Sequence, residues 1–237
     1  KKYIGKRAAL YAALFFLTAA DLFFYATINT GEIDLFYALL VYLQVLSIFA
    51  GQQRGNYLLL FAGSYFLCAL GVLTKGPPSV LFQGVTLLAW LIYTGNWKKL
   101  FSWQHLVGMA LFLLIAGGYF YAYAQQADVL GLVMRLTKEA TQRSGLEGSL
   151  WRTLGGTIAF PFRLFQLLLP WSVFVYVFFR RDVRARITEN PLLAFCLVFI
   201  ATNIPVYWFT AELRNRYIYM FFPFITTLLA YFLQHAT

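Results

Sequence analysis

Residues 105–124 read HLVGMALFLLIAGGYFYAYA, a run of 20 residues without Asp, Glu, Lys or Arg. The hydrocarbon core of a bilayer is about 30 Å thick, so a helix needs roughly 20 consecutive apolar residues to cross it. Within lipid, a spanning segment must satisfy its own backbone hydrogen bonds, and a helix does so without a partner segment. This stretch therefore predicts a transmembrane helix.

The composition of the whole chain indicates the same class of protein. Of its 237 residues, 61% are hydrophobic and 12% are charged, whereas soluble domains have about 25% charged residues. The mean hydropathy is +0.67. The net charge is +10, but the basic residues lie between apolar runs rather than in one patch, as membrane orientation requires. The composition thus excludes a soluble enzyme and argues against binding to nucleic acid.

The apolar runs predict an all-α, polytopic transmembrane helical bundle of about eight spans. The predicted spans are residues 8–29, 33–50, 57–74, 77–94, 105–124, 157–179, 191–210 and 217–235. We expect residues 1–237 to form a single transmembrane domain, the central part of a longer chain, with a loop at 125–156. Inside this loop, the segment VLGLVMRLTKEATQR has apolar residues at helical spacing and predicts an amphipathic helix at the outer membrane surface.

The distribution of charge predicts an orientation. If the first span starts in the cytoplasm, both ends are cytoplasmic, and the inner segments hold 11 of the 19 cations, in accord with the positive-inside rule. The outer segments then hold the other 8 cations together with 6 of the 9 acids. Charges of both signs at helix ends cost insertion energy without an orientational gain, which makes the outer face the predicted functional surface.

The first candidate site is the acidic turn at residues 29–34, NTGEID. Its carboxylates, Glu32 and Asp34, can hold a divalent cation through oxygen ligands, or one of them can orient an acceptor hydroxyl. The alternative is a polar hairpin tip with no function. Asp21 lies well inside the first apolar run, so its side chain should face a partner or a water-filled cavity, unless the span begins later than predicted.

The second candidate is the turn LTKGPP at residues 73–78. One helix is expected to stop at Gly76 and the next to begin after the two prolines, which holds Lys75 at the outer membrane interface. An ammonium group there suits a lipid phosphate. The alternative is a lysine whose side chain extends to the headgroups, as is common at the ends of spans.

The third candidate is the segment ELRNRY at residues 212–217. Arg214 and Arg216 stand at the outer end of a span, where orientation gives no reason for them, and guanidinium groups bind phosphate bidentately. The alternative is a loop in which the arginines form salt bridges with Glu212.

Together these motifs resemble the GT-C superfamily of integral membrane glycosyltransferases, in particular the branch of the aminoarabinose–lipid A transferases and protein mannosyltransferases. The similar elements follow the family's order and cover nearly the whole chain. They are GKRAALYAALFF leading to TGEIDLFYAL, then ALGVLTKGPPSVL, LLLPWSVFVYVFF and LRNRYIYMFFPFITTLLA. LTKGP and RYIYMFFPF are the more distinctive of these elements.

The resemblance implies an enzyme of the bacterial inner membrane. It would move a sugar from a polyprenyl-phosphate donor to a lipid, glycan or protein acceptor at the periplasmic face. Asp34, with Glu32 beside it, matches the family's second acidic motif, which is implied to place the acceptor or to hold a divalent metal ion, the one cofactor suggested. The residues implied to bind the donor phosphate are Lys75, Arg214, Arg216 and Tyr217. Glu139 and Arg143 resemble the acidic and basic residues of the family's large outer loop.

The family's principal catalytic aspartate precedes the segment with which this chain begins. We therefore expect the general base to lie upstream of Lys1 and this chain alone to be inactive. The implied reaction is a single displacement with inversion, in which an acid removes the acceptor proton while cations stabilise the departing phosphate. A transporter or flippase for a lipid-linked anion is the main alternative, and a non-catalytic scaffold is another. No repeat relates the halves of the chain, and this favours the enzyme.

Overall fold

The structure, a computed structural model, describes residues 2–24, 32–128, 131, 134, 150–208 and 215–236, with the backbone alone for 150–154 and 236. Within these ranges every regular element is helical, which confirms the predicted all-α class. The helices are α1 Gly5–Leu17, α2 Ala20–Phe24, α3 Ile33–Gln53, α4 Leu59–Lys75, α5 Pro78–Tyr93, α6 Trp103–Ala124, α7 Leu150–Leu167, α8 Arg181–Glu189, α9 Pro191–Trp208 and α10 Phe222–Ala236. Short 3₁₀ segments cover Trp97–Phe101, Trp171–Phe179 and Asn215–Phe221.

Among the described residues, 4 helical stretches are long and apolar enough to cross a membrane. They are α3, α6, α9 and Asn215–His235, in which a 3₁₀ segment runs into α10. The helices α4 and α5 are apolar but shorter. Each of these stretches coincides, to within a few residues, with a predicted span. The total of eight spans remains a prediction.

Two of the predicted spans are interrupted. In the run at 8–29, the helix breaks between α1 and α2, where Trp171 Nε1 donates a hydrogen bond to Thr18 Oγ1 (2.8 Å). The run at 157–179 is also not one straight helix, because α7 and the 3₁₀ segment Trp171–Phe179 meet at an angle of 117°. Pro170, which has no N–H to donate, lies in this break.

The described residues fall into two compact units, residues 1–35 with 150–237 and residues 36–149, and the boundary between them lies in α3. In the first unit, α1 packs along α10, which also contacts the 3₁₀ segment Trp171–Phe179. Phe15 of α1 stacks on Trp171 with ring centroids 4.1 Å apart. In the second unit, α4 packs against both α5 and α6.

Buried hydrogen bonds connect three helices of the second unit. Gln44 Nε2 of α3 donates to Gln83 Oε1 of α5 (3.0 Å), and Gln83 Nε2 donates to Ser64 Oγ of α4 (2.7 Å). All three side chains are at most 1% exposed. Hydrogen bonds between helices in lipid contribute about 0.6 kcal/mol each on average. This network therefore fixes how α3, α4 and α5 pack, at a modest gain in stability.

We expect Gln83→Leu to destabilise the protein by about 1–2 kcal/mol, because it removes two buried hydrogen bonds and leaves Gln44 Nε2 with only its bond to Ser79 O (3.1 Å) among the described residues. Thermal unfolding of the purified protein in detergent measures the change. The control is Gln53→Leu at the exposed end of α3, which should leave the midpoint nearly unchanged. Equal midpoints for the two variants would contradict the assigned role of the network.

The predicted amphipathic helix at 129–143 lies outside the described residues, apart from Gly131 and Met134.

Candidate functional site

In the first unit, Arg216 of the segment ELRNRY lies close to Glu32 and Asp34 of the acidic turn. Arg216 Nη1 lies 3.6 Å from Glu32 Oε1, and Arg216 Nε lies 3.5 Å from Asp34 Oδ2. The side chain of Asp34 is 6% exposed, whereas those of Glu32 and Arg216 are each 34% exposed. One guanidinium group therefore joins two carboxylates at the edge of a buried region.

The partners of this ion-paired cluster, Glu32, Asp34 and Arg216, lie where two candidate spans begin. Asp34 is in the first turn of α3, where the helix dipole favours a carboxylate. Arg216 is the second residue of the span Asn215–His235. The ion pairs therefore bring together the N-terminal ends of two candidate spans.

A cavity of about 930 Å³ adjoins the cluster within the first unit. Cavities of roughly 300–1,000 Å³ are typical of small-molecule sites. The polar residues that line it come from α2, the acidic turn, α7 and the 3₁₀ segment Asn215–Phe221: Asp21, Glu32, Arg163, Gln166, Asn215, Arg216 and Tyr219. The cavity thus has carboxylates, guanidinium groups and amides on its walls.

Asp21 meets the expectation for an acid deep in an apolar run. It is 2% exposed and lines the cavity. Its Oδ2 accepts a hydrogen bond from the Tyr219 hydroxyl (2.5 Å), and its Oδ1 accepts one from Asn215 Nδ2 (3.2 Å). Asp21 therefore has both a partner and a cavity.

Four of the polar residues that line the cavity were not singled out by the sequence. Arg163 and Gln166 lie three positions apart on α7, a spacing that places both on one helix face. An arginine inside the predicted span 157–179 was a usable signal, because charges within spans are rare and face cavities. Asn215 and Tyr219 carry no such signal, since nothing in the sequence separates them from the other polar and aromatic residues near span ends.

Lys75 belongs to the second unit. It is the last residue of α4, and the chain turns at Gly76 with φ +88°. The helix ends there as predicted, but α5 begins at the second proline, Pro78, rather than after it. The Lys75 ammonium lies 5.2 Å from the centroid of the Tyr37 ring, a geometry typical of a cation–π contact.

The remaining predicted residues divide into two groups. Tyr217 follows Arg216 directly, and the Arg216 guanidinium lies 5.9 Å from the centroid of its ring. Arg214, Glu139 and Arg143 lie outside the described residues.

The two carboxylates that the resemblance implies as metal ligands are both ion-paired in the structure. Glu32 and Asp34 already share the Arg216 guanidinium, which supplies the positive charge that a metal ion would bring. Among the described residues, no group of 3 or more His, Cys, Asp and Glu side chains could hold a metal ion. A metal ion therefore stays a prediction from the resemblance, and the function proposed below uses none.

Comparisons with protein families, curated proteins and solved structures give no match. The functional argument therefore depends on the motifs of this sequence and on the geometry of the ion-paired cluster and its cavity.

Proposed function

We propose that this chain is the membrane-embedded part of a GT-C-type glycosyltransferase. It would transfer a sugar from a polyprenyl-phosphate donor to a lipid, glycan or protein acceptor at the periplasmic face of a bacterial inner membrane. The reaction would be a single displacement with inversion at the anomeric carbon.

The observation that carries this proposal is the position of the Arg216 side chain, which contacts two carboxylates and lines the cavity. Its contacts with the two carboxylates, 3.5 and 3.6 Å, are longer than the roughly 2.7–2.9 Å of a strong charge-assisted hydrogen bond. Its Nε is buried and has no hydrogen-bond acceptor among the described residues. Arg216 also lines the cavity. The long contacts therefore orient the guanidinium group, and they can be exchanged for the stronger contacts of an anion that enters the cavity.

The reaction needs positive charge at the leaving group, because the bond to the sugar breaks with its electrons going to the phosphate. Arg216 and Arg163 line the same cavity and are proposed to stabilise that charge. Glu32, which is partly exposed and lines the cavity, is proposed to place the acceptor hydroxyl, with Asp34 holding Arg216. Roles in donor binding for Lys75, Arg214 and Tyr217, and in the outer loop for Glu139 and Arg143, are proposed from the resemblance.

A binding experiment tests the proposal. The chain is reconstituted in nanodiscs and titrated with undecaprenyl phosphate, and bound lipid is counted by native mass spectrometry. The comparison ligand is undecaprenol, which has the same chain and no phosphate. We expect at least about tenfold tighter binding of the phosphate form, the usual gain from charge-assisted hydrogen bonds. Equal affinity for the two lipids would overturn the proposal.

We expect Arg163→Gln to weaken the binding of undecaprenyl phosphate about fivefold, because it removes one of the two arginines that line the cavity among the described residues. Arg184→Gln is the matched control. It makes the same charge change on the exposed surface of α8, away from the residues that line the cavity. If the two variants bind equally well, Arg163 has no part in the site.

A further inference from the structure

Asp21 forms hydrogen bonds with a segment that is distant in the sequence, and the proposed reaction assigns these bonds no role. Its two carboxylate oxygens accept hydrogen bonds from Asn215 and Tyr219, which bracket Arg216. The ion pairs of Arg216 itself are with Glu32 and Asp34. Asp21 therefore holds the segment that carries Arg216 rather than the guanidinium group.

The helical geometry makes this contact specific. In a 3₁₀ helix, with three residues per turn, side chains at positions i and i+3 lie above one another. Arg216 and Tyr219 have this spacing in the 3₁₀ segment Asn215–Phe221, and both line the cavity. A bond from Tyr219 to a fixed acceptor therefore sets the rotation of the face that also presents Arg216.

The acceptor is itself fixed. The backbone N–H of Ala20, next to Asp21, donates to Leu169 O (2.9 Å). Thr18, before the start of α2, accepts a hydrogen bond from Trp171 Nε1. Asp21 is thus tied through α2 to the break that follows α7, the helix that carries Arg163.

We propose that Asp21 is a positioning residue, which anchors the 3₁₀ segment through Tyr219 and Asn215 so that Arg216 is directed into the cavity. The test of this inference by ligand binding rests on the proposed function. The inference also predicts a difference in the position of residue 216 that can be measured without any ligand.

The binding readout is a double-mutant cycle with undecaprenyl phosphate in nanodiscs. Asp21→Ala should weaken binding about tenfold, and Tyr219→Phe should weaken it by a smaller factor. Asp21→Asn, which keeps the volume and one acceptor oxygen, should recover most of the affinity. In a protein that already carries Arg216→Ala, Asp21→Ala should have no further effect, because the group that it positions is gone.

Two outcomes of this cycle would overturn the inference. One is that Asp21→Ala binds like the unchanged protein. The other is that Asp21→Ala weakens the Arg216→Ala protein by the same factor as it weakens the unchanged protein, since its effect would then not pass through Arg216. Tyr219→Phe keeps the core packing, so it provides the test if Asp21→Ala does not fold.

The ligand-free readout is the labelling rate of a thiol at position 216. Arg216→Cys is prepared with and without Asp21→Ala and treated with a methanethiosulfonate reagent; Cys68 and Cys196 are each only 1% exposed and should react slowly. Thiol reactivity depends on access, so loosening the anchor should change the rate about threefold or more. An unchanged rate refutes the positioning role. If the unchanged protein does not distinguish undecaprenyl phosphate from undecaprenol, the proposed function fails, while the labelling experiment still decides the role of Asp21.

Discussion

Under the proposed function, Arg216→Ala should reduce sugar transfer by the full-length protein about 100- to 1,000-fold, the usual cost of losing one donor that stabilises a developing negative charge. The mutation removes a cation from the cavity, and it also leaves Glu32 and Asp34 without the guanidinium group that now joins them. Glu32, which lines the cavity, would then face an incoming phosphate without its cationic partner and would add repulsion to the loss of attraction. Initial rates with a radiolabelled polyprenyl-phosphate sugar measure the effect.

Two further variants make this result interpretable. Arg216→Lys keeps the charge but not the planar fork of donors, so it should retain only part of the rate. Arg184→Ala on the exposed surface of α8 removes an arginine without touching the cavity and should leave the rate unchanged. Normal amounts of the Arg216→Ala protein in the membrane would show that folding is intact. An unchanged turnover would remove Arg216 from the site.

Gly51→Ala should destabilise the second unit strongly. A Cβ atom at Gly51 would lie 2.6 Å from the backbone N and Cα atoms of Leu60, so α3 and α4 would have to move apart. The turn between them resists this movement. Asn56 N donates to Gly51 O (2.9 Å), and Asn56 Oδ1 accepts from Leu59 N (2.9 Å). Overpacking of this kind costs about 1–3 kcal/mol or more.

Gly84→Ala is the matched control for this prediction. Gly84 lies within α5, and a Cβ atom there would meet nothing within 4 Å. Alanine is favoured over glycine in a helix by roughly 0.5–1 kcal/mol, so this variant should be as stable as the unchanged protein or slightly more so. Thermal unfolding in detergent compares the two. Equal midpoints would show that α3 and α4 do not approach closely at Gly51.

The uninterrupted helices were predictable because length and apolar composition alone decide whether a segment can span a membrane. The breaks in the helices at Thr18 and Pro170 were not predictable in this way. The sequence contains Pro170, but because the residues on both sides of it are apolar, the run was predicted as one span without a sharp bend. The break at Thr18 has no Pro or Gly near it in the run, and it coincides with a contact to Trp171. A local pattern cannot reveal a partner so far along the chain.

The sequence indicated several charged residues of the candidate site, but not which of them form ion pairs with one another. Charge distribution and motif order drew attention to Glu32, Asp34 and Arg216, because acids and arginines at span ends have an insertion cost. Which of these charges meet depends on how the spans pack, and no residue type encodes that. Tyr219 illustrates the limit, since one of 16 tyrosines becomes a hydrogen-bond partner of a buried acid only in three dimensions.

The sharing of Arg216 between two carboxylates has a consequence for selectivity. An anion that approaches this arginine must displace contacts that already exist, so it gains only the difference between the new contacts and the old ones. Free phosphate can replace these contacts only through its own charge. A phosphate attached to a polyprenyl chain is anchored in the bilayer by its hydrocarbon, so it reaches the cavity at a higher effective concentration than a soluble anion does. The ion-paired resting arginine would thus discriminate against soluble anions and favour those delivered by a lipid.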